Sequence, residues 1–288
     1  MFARVSVIVP AHDEAARIGG LLSDLAGPVG RGEVALVVVC NGCTDATAEL
    51  ARGLVGATVV ETPTASKSHA LNLGDRRAGG IFPRLYCDAD VRLDEASIEA
   101  LTTALASAPG PLAVAPRVEY ALEGAPWAVR LYASALLAPI IATWIDAHLV
   151  GRGLYGANGP ARARFGEFPD VTADDLFFDS QFDDDEKMVV EDALSRVPIA
   201  DSLGDLVRRE VRVAAGNLEH RDSGAGREEG ARTRLWPALA RRGRVLRRWA
   251  RELRIRDVMP LAVYLSVKGW ARFLAIRDRR VGRATAWR

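Results

Sequence analysis

The sequence predicts an α/β fold, a mostly parallel sheet with helices on both faces, followed by C-terminal amphipathic helices. Three observations predict it. Over the first 120 residues, short β-branched runs alternate with stretches of helical spacing. Acids follow several of those runs at the carboxyl end, the edge where open α/β sheets bind ligands. From Arg221 onward there are 19 basic and 6 acidic residues, against 19 and 31 before it, so the chain changes character there.

The elements follow in order. Val5 to Val9 reads as an apolar, β-branched strand, and no targeting segment is expected before it. Glu14 to Leu25 carries helical spacing through Ile18, Leu21, Leu22 and Leu25. Val34 to Val39 reads as a buried strand and Thr44 to Leu54 as a helix, with Asp45 near its start as a cap. Thr58 to Glu61 is a short strand, Ser66 to Arg77 a helix, and Phe82 to Cys87 the strand leading to Asp88. Asp94 to Ala106 and Leu112 to Val118 add a helix and a strand. Strands and helices alternating at this spacing imply parallel pairing.

Periodicity is less regular from 120 to 220. Trp127 to Val150 is apolar, with Pro139 as a bend. Gly151 to Gly159 is glycine-rich and reads as a loop; Asp170 to Glu186 is acid-rich. In the tail, Leu235, Leu239, Leu246, Trp249 and Leu253 share one helical face with arginines on the others. The apolar run Val258 to Val267 falls short of the ~20 residues a bilayer-spanning helix needs, so these helices suit a membrane surface or a packed partner.

Composition excludes several classes. With 49% hydrophobic and 26% charged residues the chain is globular. Three cysteines argue against a disulfide scaffold and for a reducing cytosol, and the lone C-x-x-C of Cys40 and Cys43 lacks the second pair of a zinc site. The first strand is followed by Pro-Ala-His-Asp-Glu, not by the G-x-G-x-x-G of a dinucleotide site, and no P-loop is present. Leucine and tryptophan interleave the tail's arginines, which suits lipid or protein, and no nucleic-acid partner is expected.

Asp88-Ala89-Asp90 carries the most chemistry. Two carboxylates at a strand's carboxyl end are hard oxygen ligands, suited to Mg²⁺ or Mn²⁺ holding a diphosphate. Three stretches precede it: Val7 to Glu14, Val37 to Asp45, and Lys67-Ser68-His69-Ala70-Leu71-Asn72-Leu73-Gly74. In this order and spacing the series resembles the glycosyltransferase family 2 pattern on the GT-A fold, and with later motifs the resemblance spans roughly residues 4 to 220.

The resemblance implies roles, position by position. Pro10 and Ala11 open a backbone loop that cradles the base, and Glu14 bonds the nucleoside or, equally well, complements a helix dipole. Asn41 matches the acid that contacts uracil; Cys40-Asn41 stands where Asp-Asp is usual, which leaves the base open. Lys67 faces the diphosphate. Asp90 is a direct metal ligand, and Asp88 contacts ribose or metal. Gly153 to Gly159, with Gly156 and Asn158, resembles the loop shaping the donor-sugar and acceptor pocket. Thr172-Ala173-Asp174-Asp175-Leu176 resembles the Glu-Asp motif, with Asp174 in place of Glu and Asp175 as general base. Arg209-Glu210-Val211-Arg212-Val213 sits where processive relatives carry Gln-x-x-Arg-Trp. Arg212 keeps a phosphate-binding cation, and the missing tryptophan argues against long polysaccharide synthesis. His220 is a candidate late metal ligand.

The expected organisation is a nucleotide-sugar-binding half over 1–120, an acceptor and catalytic half over 121–220, and a basic helical tail over 221–288. The expected activity is inverting, metal-dependent transfer from a UDP- or GDP-sugar to an acceptor hydroxyl, on a lipid-linked or small acceptor. The expected place is the cytoplasm, peripheral to an anionic inner leaflet. A retaining GT-A transferase and a non-catalytic membrane-surface module are the alternatives.

Overall fold

A computed structural model describes residues 4–138, 141–142, 145, 148–223 and 255–281. The stripe of Leu235, Leu239, Leu246, Trp249 and Leu253, and Pro139, lie outside the described residues. The chain forms two compact units, Met1–Glu119 with His148–Pro198, and Tyr120–Ala147 with Ile199–Thr285.

The first unit is built on an eight-stranded sheet among the described residues. The strands are β1 (Val5–Ala11), β2 (Val34–Asn41), β3 (Thr58–Thr62), β4 (Arg84–Cys87), β5 (Arg92–Leu93), β6 (Ala113–Ala121), β7 (Leu154–Ala157) and β8 (Lys187–Pro198), in the order β3-β2-β1-β4-β7-β6-β8-β5. The run β3-β2-β1-β4 is parallel, with Val5 to Ala11 paired to Val34 to Cys40. Beyond β4 the direction changes, β7 lying antiparallel to both β4 and β6. The parallel half puts the carboxyl ends of β1, β2 and β4 at one edge, which is where the candidate residues cluster.

Alternation along each strand assigns the faces. Val5, Val7, Val9 and Ala11 of β1 and Val34, Leu36, Val38 and Cys40 of β2 enter one core. That core receives Ile18, Leu21, Leu22 and Leu25 of α1 (Ile18–Gly30), Ala48 and Ala51 of α2 (Thr47–Arg52), and Ile98, Leu101 and Leu105 of α4 (Glu95–Ser107). The i, i+3, i+4, i+7 spacing in α1 buries all four side chains, worth about 1.5–3 kcal/mol each. Between α2 and α4 in the chain, α3 (Lys67–Ala78) lies on the opposite face. A Cβ on its Gly74 would meet Ile8 Cγ2 at 2.3 Å, so glycine is what lets the helix approach the sheet.

Helix starts differ from those expected, for a local reason. The chain between β1 and α1 is held as a turn: Asp13 has φ +52, Glu14 N–H donates to Thr47 Oγ1 at 2.8 Å, and Ala15 N–H donates to Asp45 Oδ2 at 3.0 Å. Helix α1 therefore begins at Ile18, not Glu14. Asp45 also accepts from Thr47 N–H, so it serves two backbone segments and α2 begins only at Thr47. Reading Gly153 to Gly159 as a loop is corrected. Leu154–Ala157 is an inner strand, and a Cβ on Gly156 would stand 2.4 Å from Leu85 Cδ2 and 2.7 Å from Arg84 O. Its glycines serve close strand approach rather than flexibility. The long strand β8 had no clear signal in the irregular stretch.

In the second unit, α5 (Trp127–Leu136), α8 (Leu203–Ser223) and α9 (Ile255–Arg280) pack around Val129, Tyr132, Ala133, Ile199, Leu206 and Val267. Glu210 is buried there and paired with Lys268, and Tyr132 lies against Tyr264 with ring centroids 5.2 Å apart. No helix among the described residues is long and apolar enough to cross a membrane.

Candidate active site

Three strand ends and one helix start supply the first half of the site. Pro10 and Ala11 close β1, paired with Val39 and Cys40. His12 Nδ1 lies 2.6 Å from the Asn41 carbonyl, tying the two loops together. Asn41 closes β2 and is fully buried, with neither amide atom of its side chain hydrogen-bonded. An unsatisfied buried amide costs about 1–3 kcal/mol, so this position holds an uncommitted donor and acceptor. Asp88 and Asp90 follow β4. Asp88 N–H donates to Gly153 O at 2.8 Å, and Arg17 lies 3.9 Å from Asp90 Oδ2. Their side chains keep 41% and 25% exposure, so both carboxylates can reach a ligand. Glu14 stands half-buried beside them. Burial, then the charges of Asp90, Asp88 and Asp45, push its carboxyl up to about 7 against the pull of Arg17.

Lys67, the first residue of α3, joins this half to a distant acid pair. Its Nζ lies 2.7 Å from Asp88 Oδ1 and 3.0 Å from Asp174 Oδ1. Burial works against the ammonium, but Asp174 and Asp88 outweigh it and hold its pKa above the ordinary lysine value. Asp174 is buried and accepts on its other oxygen from Tyr155 O–H at 2.7 Å. It opens α7 (Asp174–Asp179), which follows the short α6 (Gly159–Arg162) in the chain. Phe177 and Phe178 anchor α7; Phe178 packs on Tyr155 with centroids 4.5 Å apart.

Asp175 lies next along α7. Its Oδ2 accepts from Gly151 N–H and its Oδ1 from Leu176 N–H, both at 2.8 Å. Burial first, then the neighbouring Asp174, raise its carboxyl to about 6, while Lys67 and the Gly151 N–H restrain the rise. The Gly151–Gly153 turn thus touches Asp175 at one end and Asp88 at the other. Both glycines have positive φ, and a Cβ on Gly153 would meet Val91 Cγ2 at 2.4 Å. Asp179 steadies the same segment by accepting Leu149 N–H at 2.9 Å and Lys187 at 3.2 Å.

A buried hub supports the site from below. Asp75 accepts from Arg84 at 2.7 Å, Arg162 at 2.6 Å and Tyr86 O–H at 2.8 Å, locking α3 to β4. Asn72 exchanges two hydrogen bonds with the Phe168 backbone, and Asp170 accepts from Ser68 at 3.1 Å. These contacts fix the start of α3, where Lys67 sits.

Not every expected residue joins the cluster. Asn158 caps α6: its Oδ1 accepts from Ala161 and Leu112, and its Nδ2 donates to Gly110 O. Gly156 is the strand contact described above. Arg212 is carried by α8 in the second unit, and the His220 side chain lies outside the described residues. Conversely, Tyr155, Arg17 and the Gly151 N–H were not singled out by sequence reasoning. Tyr155 sits within a motif that was recognised, but nothing in a single sequence announces which tyrosine meets Asp174. Among the described residues, Asp13, Cys43 and Asp45 also bring three potential ligand atoms within 4.8 Å of one another, though Asp13 and Asp45 already bind backbone N–H groups.

Comparison with known proteins adds the following. Residues 6–148 match the family model described as Glycosyl transferase family 2. That span holds Lys67, Asp88 and Asp90 and ends before Asp174 and Asp175. No curated protein matches the sequence. Among solved structures, the chain is similar to the mannosyltransferase PcManGT from Pyrobaculum calidifontis, solved with GDP-Man and Mn²⁺: 20% identity, TM-score 0.63, covering 98% of this chain and 87% of that one. It is also similar to mannosyl-3-phosphoglycerate synthase from Rubrobacter xylanophilus, at 19% identity and TM-score 0.53, covering 79% and 78% of the two chains. TarS from S. aureus, solved over residues 1–349 with UDP, gives 16% identity and TM-score 0.51, with 97% and 90% covered. These likenesses establish the GT-A fold.

Proposed function

We propose, for a chain that belongs to glycosyl transferase family 2 and is a glycosyltransferase, inverting transfer of a sugar from a nucleoside diphosphate sugar to an acceptor hydroxyl. One observation carries the reading. The Lys67 ammonium bridges Asp88 and Asp174, so residues far apart in sequence converge on a single charged cluster beside Asp175.

In this reading Pro10, Ala11 and Glu14 line the nucleoside, and the unpaired Asn41 amide offers one donor and one acceptor to a base edge. Lys67 faces the diphosphate. Asp88 and Asp90 fit Mg²⁺ or Mn²⁺ by their chemistry: hard oxygen donors, partly exposed, at the sheet's ligand edge. When bound, such an ion supplies Lewis-acid stabilisation of the leaving diphosphate; the neighbour PcManGT was solved with Mn²⁺ and GDP-Man. Asp175 takes the proton from the acceptor hydroxyl as its oxygen attacks the anomeric carbon. A carboxyl raised to about 6 is ionised at neutral pH and yet basic enough for that task. Asp174 stays charge-paired and hydrogen-bonded, which suits a positioning residue better than a second base. Nucleotide contacts then fall within residues 1–120, and Asp174 and Asp175 within 121–220. The acceptor is a lipid-linked or small hydroxyl compound, and the enzyme sits peripherally on an anionic inner leaflet.

The test is a thermal-shift panel of nucleoside diphosphates and their sugars, with and without Mn²⁺, since a specific ligand raises apparent stability by mass action. One UDP- or GDP-sugar should raise Tm, and more so with Mn²⁺; no shift with any member would overturn the reading. The anomeric configuration of the product, read by NMR, separates inversion from retention.

A further inference from the structure

The second unit carries a feature that glycosyl transfer does not use. Helix α9 is apolar on both sides. One side, with Val267, Ala271 and Ala275, is buried. The other presents Val258, Met259, Leu265, Trp270 and Phe273, each more than half exposed, with Ala262 and Gly269 between them. On a helical wheel these residues fall within a single sector, and at 1.5 Å per residue they run for about 22 Å. Trp270 and Phe273 stack with ring centroids 5.6 Å apart. The C-terminal end of the same sector is basic: Arg272, Arg277 and Arg280 are exposed there. An apolar strip of this length on a soluble surface marks an interaction site.

We propose that this face of α9 docks on an anionic lipid bilayer, lying in the headgroup plane. Charge selects the occupant. Ile255–Arg280 holds six basic and two acidic residues. A second copy lying parallel would set arginine against arginine; an antiparallel copy would bury arginines on Val258 and Met259. The segment 224–254 is itself arginine-rich, with ten basic and three acidic residues, so laying it on this face sets like charges together. An anionic headgroup layer neutralises the arginines while the strip enters the acyl boundary. The buried opposite side, packed with protein, keeps the helix in the surface plane and out of the bilayer core.

Co-sedimentation of the full chain with phosphatidylcholine–phosphatidylglycerol vesicles, against phosphatidylcholine alone, tests this. Binding should require the anionic lipid and weaken with salt. The double substitution Leu265→Glu with Phe273→Glu should lower vesicle affinity at least ~10-fold, following the depth-dependent cost of a charge at the interface. As a second measurement, brominated lipid should quench wild-type tryptophan fluorescence by an amount that Trp270→Phe removes. Equal affinity of the double variant, or quenching unchanged in Trp270→Phe, would place the contact elsewhere. A dimer that the double variant dissociates would make a second copy the occupant. Binding and quenching do not depend on turnover, so their failure leaves the proposed transfer reaction standing, and the reverse also holds.

Discussion

Asp175→Asn ties stability and catalysis to one carboxyl. Asparagine keeps an oxygen for the Gly151 N–H, gives up the acceptor facing the Leu176 N–H and removes the charge. Burial and Asp174 lift this carboxyl from 3.8 to about 6. Two pKa units make the ionised form costly in the fold by about 3 kcal/mol. Partial solvent contact reduces this to ~1–2 kcal/mol. The sign follows from proton binding. The folded state holds this proton to higher pH than the unfolded chain, so the group's stabilising contribution is full below about 3.8 and is lost as pH rises through about 6. The variant should therefore be more stable than wild type near pH 8, by roughly 2–8 °C in Tm, and the gap should close near pH 4. Turnover should fall by about 10²–10⁴, the usual worth of a general base, with donor affinity unchanged. In the wild type, kcat/KM should decline on the acid side with an apparent pKa near 6. The assays are calorimetric unfolding across pH, donor titration with Mn²⁺, and product formation. Wild-type turnover in the variant, or a variant destabilised near pH 8, would refute the assignment.

Other outcomes follow from the same geometry. Asp90→Ala should remove the Mn²⁺-dependent part of donor affinity in calorimetry, and an unchanged affinity would take Asp90 out of the ion site. Lys67→Met leaves Asp174 with Tyr155 but no counter-charge. Stability should drop by about 3–5 kcal/mol, as when a buried pair loses one partner, and nucleoside diphosphate affinity should weaken about 10-fold or more; equal affinity for the diphosphate would remove Lys67 from that contact. Gly156→Ala forces a methyl against Leu85 and the Arg84 carbonyl and should cost about 1–3 kcal/mol by denaturant unfolding, with no selective effect on donor affinity.

Much of the first unit is legible in the sequence. Apolar runs at Val5, Val34 and Leu85, the first two rich in β-branched residues, read as buried strands, and the i, i+3, i+4 spacing of Ile18, Leu21, Leu22 and Leu25 defines one helical face. Asp88 and Asp90 were marked by their place after a strand. The sequence therefore determined the α/β class and the acids standing at the carboxyl edge of the parallel strands, because these depend on short-range patterns of burial and turn chemistry. Only the tertiary structure decided that Leu154–Ala157 is an inner strand, that Asn158 is occupied with capping, and that Tyr155, Asp174, Lys67 and Asp88 form one hydrogen-bonded chain. Such pairings depend on chain segments some twenty to a hundred residues apart meeting within 3 Å, and no local propensity encodes which partner a buried charge will find.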